Sequence, residues 1–131
     1  MESPHFFVDR SLGRIEVPRL LREDGWELTT LAEHYGEKTG QGVDDVDWLT
    51  VAGEHGWPVL MKDTRIRRTT SEREALVKAG VRAFCISSGN LTSAVMAEYF
   101  IQHRAPIWRA ASSDSPGIWI VSKTAVRPTE L

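Results

Sequence analysis

Asp45-Val46-Asp47-Trp48-Leu49-Thr50-Val51-Ala52-Gly53-Glu54-His55-Gly56-Trp57-Pro58-Val59-Leu60-Met61-Lys62-Asp63 changes its rhythm once along its length. Up to His55 the pattern is helical. Asp45, Trp48, Leu49 and Ala52 stand at i, i+3, i+4 and i+7, one stripe of a helix that starts near Asp44 and ends at His55-Gly56. From Pro58 to Met61 the run is short and wholly apolar, which reads as a buried strand stopped by Lys62-Asp63. A helix that feeds a fully apolar strand is a building unit of parallel sheets covered on both faces.

The same alternation extends in both directions. Upstream, His5-Phe6-Phe7-Val8 is a strand stopped by Asp9, and Ile15, Val17, Leu20 and Leu21 mark a helix closed by Asp24-Gly25. Trp26 to Leu31 alternates as a second strand, and the glycine-rich residues 35–43 read as a loop. Downstream, Ser71…Glu74 resembles a capping box opening a helix that Gly80 closes. Val81–Ile86 is a strand, Leu91–His103 a helix, and Gly117–Val121 a last strand, with residues 127–131 expected to fray. The pattern predicts an α/β protein of three layers, α/β/α, with a mostly parallel central sheet. The 131 residues suit one domain, 1–131, with its core over about 5–123.

Composition narrows the class. Hydrophobic residues make up 41% and charged residues 26%, as in a packed globular chain. The net charge of −2 announces no global attraction to nucleic acid, although aspartates around a metal would mask a local basic patch. The single cysteine, Cys85, lies in an apolar run and reads as a core thiol, which excludes an intramolecular disulfide and a cysteine zinc site. Met1-Glu2-Ser3-Pro4-His5 lacks the basic start and apolar stretch of a signal peptide, and no run approaches a membrane span, so the expectation is a cytoplasmic protein without a membrane partner.

Acids stand where such a sheet gathers its ligands, outside the carboxyl ends of the strands. Asp9 ends the first strand and Asp63 the third. Asp45 heads the buried stripe of the intervening helix, whereas Asp44 is a candidate N-cap and Asp47 turns toward solvent. Three converging carboxylates repel one another unless a cation neutralises them, and hard oxygen donors favour Mg²⁺ or Mn²⁺. Aspartate is also common in caps and turns, so spacing alone leaves both readings open.

Family resemblance adds to this. The stretch Asp45–Asp63, the opening Phe7-Val8-Asp9-Arg10-Ser11-Leu12-Gly13, the following Leu20–Trp26, and Lys62-Asp63-Thr64-Arg65-Ile66-Arg67-Arg68 together resemble PIN-like domains, closest to the branch of VapC-type toxins. The resemblance spans about residues 5–105. It implies a metal-dependent endoribonuclease held in check by a cognate antitoxin, with catalytic, metal-binding acids at Asp9, Asp45 and Asp63. One departure stands out. PIN nucleases often carry a further acid near the end of the fourth strand, where this chain has Ser87, Ser88 and Asn90, and Asp114 is a weak substitute. A non-catalytic PIN-like module that binds RNA or protein is therefore the alternative reading.

Arg10, Lys62, Arg65, Arg67 and Arg68 adjoin the acids and are candidates for RNA phosphates. The competing role for the run after Asp63 is a solvated helix start paired with Glu72 and Glu74. Trp48 and Trp119 read as core; Trp26, Trp57 and Trp108 are left between core and base stacking. The four histidines show no ligand spacing. A second copy of the chain, as a homodimer, completes the candidate partners.

Overall fold

A computed structural model describes residues 2–62, 69–87 and 89–129. The elements run β1 (His5–Val8), a 3-10 turn (Arg10–Leu12), α1 (Glu16–Glu23), β2 (Glu27–Thr30), α2 (Leu31–Tyr35), α3 (Glu37–Gly42), α4 (Asp45–His55), β3 (Val59–Met61), α5 (Thr70–Ala79), β4 (Arg82–Ile86), α6 (Ser93–Gln102), α7 (Arg104–Ala111), β5 (Gly117–Val121) and β6 (Val126–Pro128). The strands form one sheet in the order β2-β1-β3-β4-β5-β6. Every neighbouring pair is parallel except β5 with β6.

Period-2 geometry splits the core into two layers. Phe6 and Val8 of β1, Leu60 of β3, and Phe84 and Ile86 of β4 face one layer with Val17, Leu21, Phe100 and Ile107 of α1, α6 and α7. Phe7, Val59, Met61, Ala83 and Cys85 face the other, against Leu31, Trp48, Leu49, Ala52 and Leu76 of α2, α4 and α5. The α/β/α architecture expected from the alternation is therefore present, with Cys85 buried as read.

Four local readings are corrected. Residues 35–43 are not a loop: α2 is followed directly by α3, where Gly40 packs so close to Leu31 that a Cβ would lie 3.1 Å from the Leu31 carbonyl. The capping box sits at Thr30 and Glu33, each side chain bonding the other's backbone N–H, and not at Ser71 and Glu74, because α5 begins one residue earlier with Thr69 as an N-cap that makes no side-chain bond. Helix α7 follows α6 where the sequence suggested only one helix; Pro106 is tolerated in its first turn. Arg127 and Pro128 belong to β6 instead of a frayed tail, and the Thr129 N–H continues to the Ile118 carbonyl at 2.8 Å. Pro128 is admissible because β6 is an edge strand.

Helices α4 and α5 both stop on a left-handed glycine. Gly56 has φ 70° and Gly80 φ 74°, and the next residues bond back five positions, Trp57 to Ala52 and Val81 to Leu76. This ending turns the chain sharply from helix into β3 and β4. The two helices also touch at Gly53, where a Cβ would lie 2.4 Å from the Ala79 carbonyl oxygen and 2.7 Å from the Ala79 Cβ. The nearest obstacle is backbone and cannot rotate aside. Gly53→Ala is therefore expected to destabilise the fold by about 1–2 kcal/mol, the overpacking cost exceeding a helix-propensity gain of at most ~1 kcal/mol. A denaturant midpoint equal to or above the parent's would refute this contact.

Candidate active site

Strand β1 lies between β2 and β3, so Val8, Thr30 and Met61 end side by side at one edge of the sheet. Asp9 is the first residue past β1. Its N–H still bonds the Leu60 carbonyl at 3.0 Å, which fixes its Cα over β3. Its side chain turns back to cap the 3-10 turn: Oδ2 accepts from the Ser11 N–H at 3.1 Å and the Ser11 hydroxyl at 2.5 Å. The same Ser11 oxygen accepts the Lys62 N–H at 3.0 Å. One hydroxyl thus ties the Asp9 carboxylate to the backbone residue that precedes Asp63.

The other oxygen, Asp9 Oδ1, is buried and has no hydrogen-bond partner among the described residues. The whole residue is only 5% exposed. Burial pushes its carboxyl pKa above the ordinary value; the Ser11 bonds and the Arg10 charge oppose the rise, and the Asp45 charge adds to it. An orphaned carboxylate oxygen in a buried, electronegative setting is costly unless a cation completes it.

Asp45 opens α4 on the face that the stripe required, with Trp48, Leu49 and Ala52 buried behind it. Its Oδ1 accepts the Trp48 indole N–H at 2.8 Å and lies 3.7 Å from Arg10 Nη2. Arg10 also donates to the Val43 carbonyl at 3.0 Å, and so joins the residue after β1 to the residues before α4. Asp44 takes the N-cap position and Asp47 is exposed, as expected from the helical angles.

The remaining candidates divide. Asp63, Arg65, Arg67 and Arg68 lie outside the described residues. Ser87 follows β4 at the same sheet edge and gives its N–H to Val121, whereas Asn90 is exposed and Ser88 lies outside the described residues. Asp114 cannot stand in for a missing acid. It precedes β5 at the amino edge of the sheet, where burial lowers the Arg82 pKa and the Asp114 charge opposes that shift. Among the described residues, no group of three His, Cys, Asp or Glu could hold a metal ion. Trp26 and Trp108 are buried, and Trp57 and Trp119 half-buried, Trp119 stacked on Phe84 at 5.1 Å.

Ser11 was missed in the sequence. Its signal is the Asp9-Arg10-Ser11 spacing, an aspartate that can accept from the backbone two residues on. The Trp48 indole was read as core only; that Asp45 stands three residues before it on one helical face is what predicts the bond.

The family can now be stated. Residues 4–88 match the model of a PIN like domain, and the chain belongs to that family. A curated protein of Mycobacterium tuberculosis, "Putative ribonuclease VapC45", is 41% identical over 122 residues, which cover 93% of this chain and 88% of the relative. No solved structure matches the chain.

The raised pKa of Asp9 has a consequence for stability. Between the ordinary carboxylate pKa and the raised one, the folded state binds more protons than the unfolded state, so stability falls as pH rises through that window. Above it, the ionised Asp9 remains a penalty on the metal-free fold. Asp9→Asn should therefore melt higher than the parent at neutral pH without metal, and the gain should vanish below the ordinary carboxylate range. Melting curves with the gain unchanged by acid would show that the Asp9 charge is not its source.

Proposed function

We propose that this PIN-like domain is a metal-dependent endoribonuclease, the cytoplasmic toxin of a toxin–antitoxin pair, formed by one domain over residues 1–131. The observation that carries the proposal is the buried, unpartnered Oδ1 of Asp9 at the carboxyl edge of a parallel sheet. The name of the M. tuberculosis relative, a ribonuclease of VapC type, points the same way. RNA is then the substrate and a cognate antitoxin the protein partner.

Asp9, Asp45 and Asp63 are the ligands in this reading, all hard oxygen donors suited to Mg²⁺ or Mn²⁺. A bound ion of this kind supplies an activated water and neutralises charge on the phosphate. The chain's own residues prepare the place. Ser11 holds Asp9 Oδ2, and Oδ1 is left without a partner among the described residues. Trp48 and Arg10 fix the Asp45 carboxylate. Ser11 also anchors the N–H of Lys62, the residue that precedes Asp63 in the sequence. Lys62, Arg65, Arg67 and Arg68 follow as the candidates for RNA phosphates, and Arg10 serves the site from within.

Ser87 at the end of β4 motivates the second reading, a non-catalytic RNA-binding module, because PIN nucleases often place an acid there. One experiment separates the two. The chain incubated with a mixed RNA pool should cut it with Mg²⁺ or Mn²⁺ and not with chelator. Asp9→Asn, Asp45→Asn and Asp63→Asn should each reduce cutting to background while circular dichroism stays that of the parent. RNA that binds and is left intact in both metals would establish the non-catalytic module instead.

A further inference from the structure

A second feature adjoins Asp9 on the same edge. A cavity of about 80 Å³ lies across the ends of β1 and β2, walled by Val8, Arg10, Arg14, Thr30, Gly40 and Gln41 among others. Among the described residues its lining includes two arginines and no carboxylate. The volume is far below the ~300 Å³ at which pockets for drug-sized ligands begin, so a nucleoside does not fit, whereas a single tetrahedral oxyanion is of the right order.

The two arginines differ. Arg10 is engaged with Val43 and Asp45 and serves as a wall toward the metal ligands. Arg14 meets Glu37 through Nε at 3.2 Å, with side chains 48% and 75% exposed. An exposed pair of this kind is worth about 0–1 kcal/mol and yields readily to a better anion. A planar guanidinium has five donors and suits phosphate oxygens in pairs. Outward from the cavity, a depression shares Arg14, Thr30 and Ala32 with it but adds Glu33 and Glu37. Those carboxylates repel a polyanion and disfavour that depression as the seat of a phosphate.

We infer that this cavity is a phosphate subsite, which seats one backbone phosphate of the single-stranded RNA next to the one cleaved, with Arg14 as its charged donor and Glu37 as the side chain displaced. The inference rests on the ribonuclease reading. It assigns to Arg14 a role that the run after Asp63 does not share, since Arg14 follows the 3-10 turn that carries Asp9 and Ser11.

The test uses the whole chain in chelator, where cutting is absent, and two probes: a short single-stranded RNA and inorganic phosphate. Arg14→Ala should weaken RNA binding several-fold and flatten the slope of log K against log salt by about 0.7, the loss of one phosphate contact. Glu37→Gln should strengthen binding, and that gain should vanish in the Arg14→Ala background, which a general change of charge would not do. Inorganic phosphate should move the Arg14 side-chain NMR signal. If RNA binds the parent and Arg14→Ala with equal slopes, the subsite is overturned and the ribonuclease reading stands. If the parent binds no RNA at low salt, the ribonuclease reading fails and RNA as occupant fails with it. A motionless Arg14 signal at saturating phosphate overturns the oxyanion seat in either case.

Discussion

Phe7 N–H to the Pro58 carbonyl and Asp9 N–H to the Leu60 carbonyl, at 2.8 and 3.0 Å, lock β1 in parallel with β3 across fifty residues of intervening chain. A parallel pair cannot be closed by a hairpin, so everything between the two strands has to form a crossover or join the sheet elsewhere. The chain does both: α1 returns it to β2 on the free side of β1, and α2 to α4 carry it back across to β3. Because the pairs from β2 through β5 are parallel, their carboxyl ends share an edge. The residues directly beyond β1 and β3, Asp9 and Lys62, are thereby neighbours before any side-chain chemistry is considered.

What that edge holds is unfavourable as folding alone. A carboxylate at 5% exposure with one unpartnered oxygen contributes nothing to stability that an amide would not supply at lower cost. Three N–H and O–H groups are committed around Ser11 to keep it in place. Structure maintained at a cost in a cleft is the pattern of a functional site, and the perturbed titration of Asp9 fits that pattern with a named physical cause.

Much of this was legible in the sequence, and the parts that were not share a reason. Strands β1, β3, β4 and β5 were short apolar runs and survive within one residue of their readings, whereas β2, read as alternating over Trp26–Leu31, is confined to Glu27–Thr30 because Leu31 opens α2. Asp45 was separable from Asp44 and Asp47 because a helix has a fixed angle per residue, and Trp48, Leu49 and Ala52 named the buried side. The elements misread were those whose local signals oppose the outcome. Gly36, Gly40 and Gly42 suggest a loop, yet α3 forms because Gly40 lets it pack on Leu31 without a side chain between. Pro128 suggests a tail, yet β5 offers an edge on which a strand lacking one donor is admissible. Each was decided by a tertiary partner that periodicity does not reveal. Ser11 escaped for the same reason, since its third bond goes to Lys62, fifty-one residues away.

Arg10 shows how the chain limits the cost of gathering acids. The Asp45 charge adds to the difficulty of ionising the buried Asp9. One guanidinium, held by the Val43 carbonyl and directed at Asp45, offsets part of that repulsion from the protein side. It does not offset all of it. Its contact with Asp45 is 3.7 Å and it leaves Asp9 Oδ1 unsatisfied, so the described residues still present two carboxylates against one fixed positive charge. A tighter, bidentate Arg10 bridge to Asp45 would have neutralised that carboxylate. The long contact keeps Asp45 oriented without saturating it, so the carboxylate is held by Trp48 and Arg10 together and neutralised fully by neither.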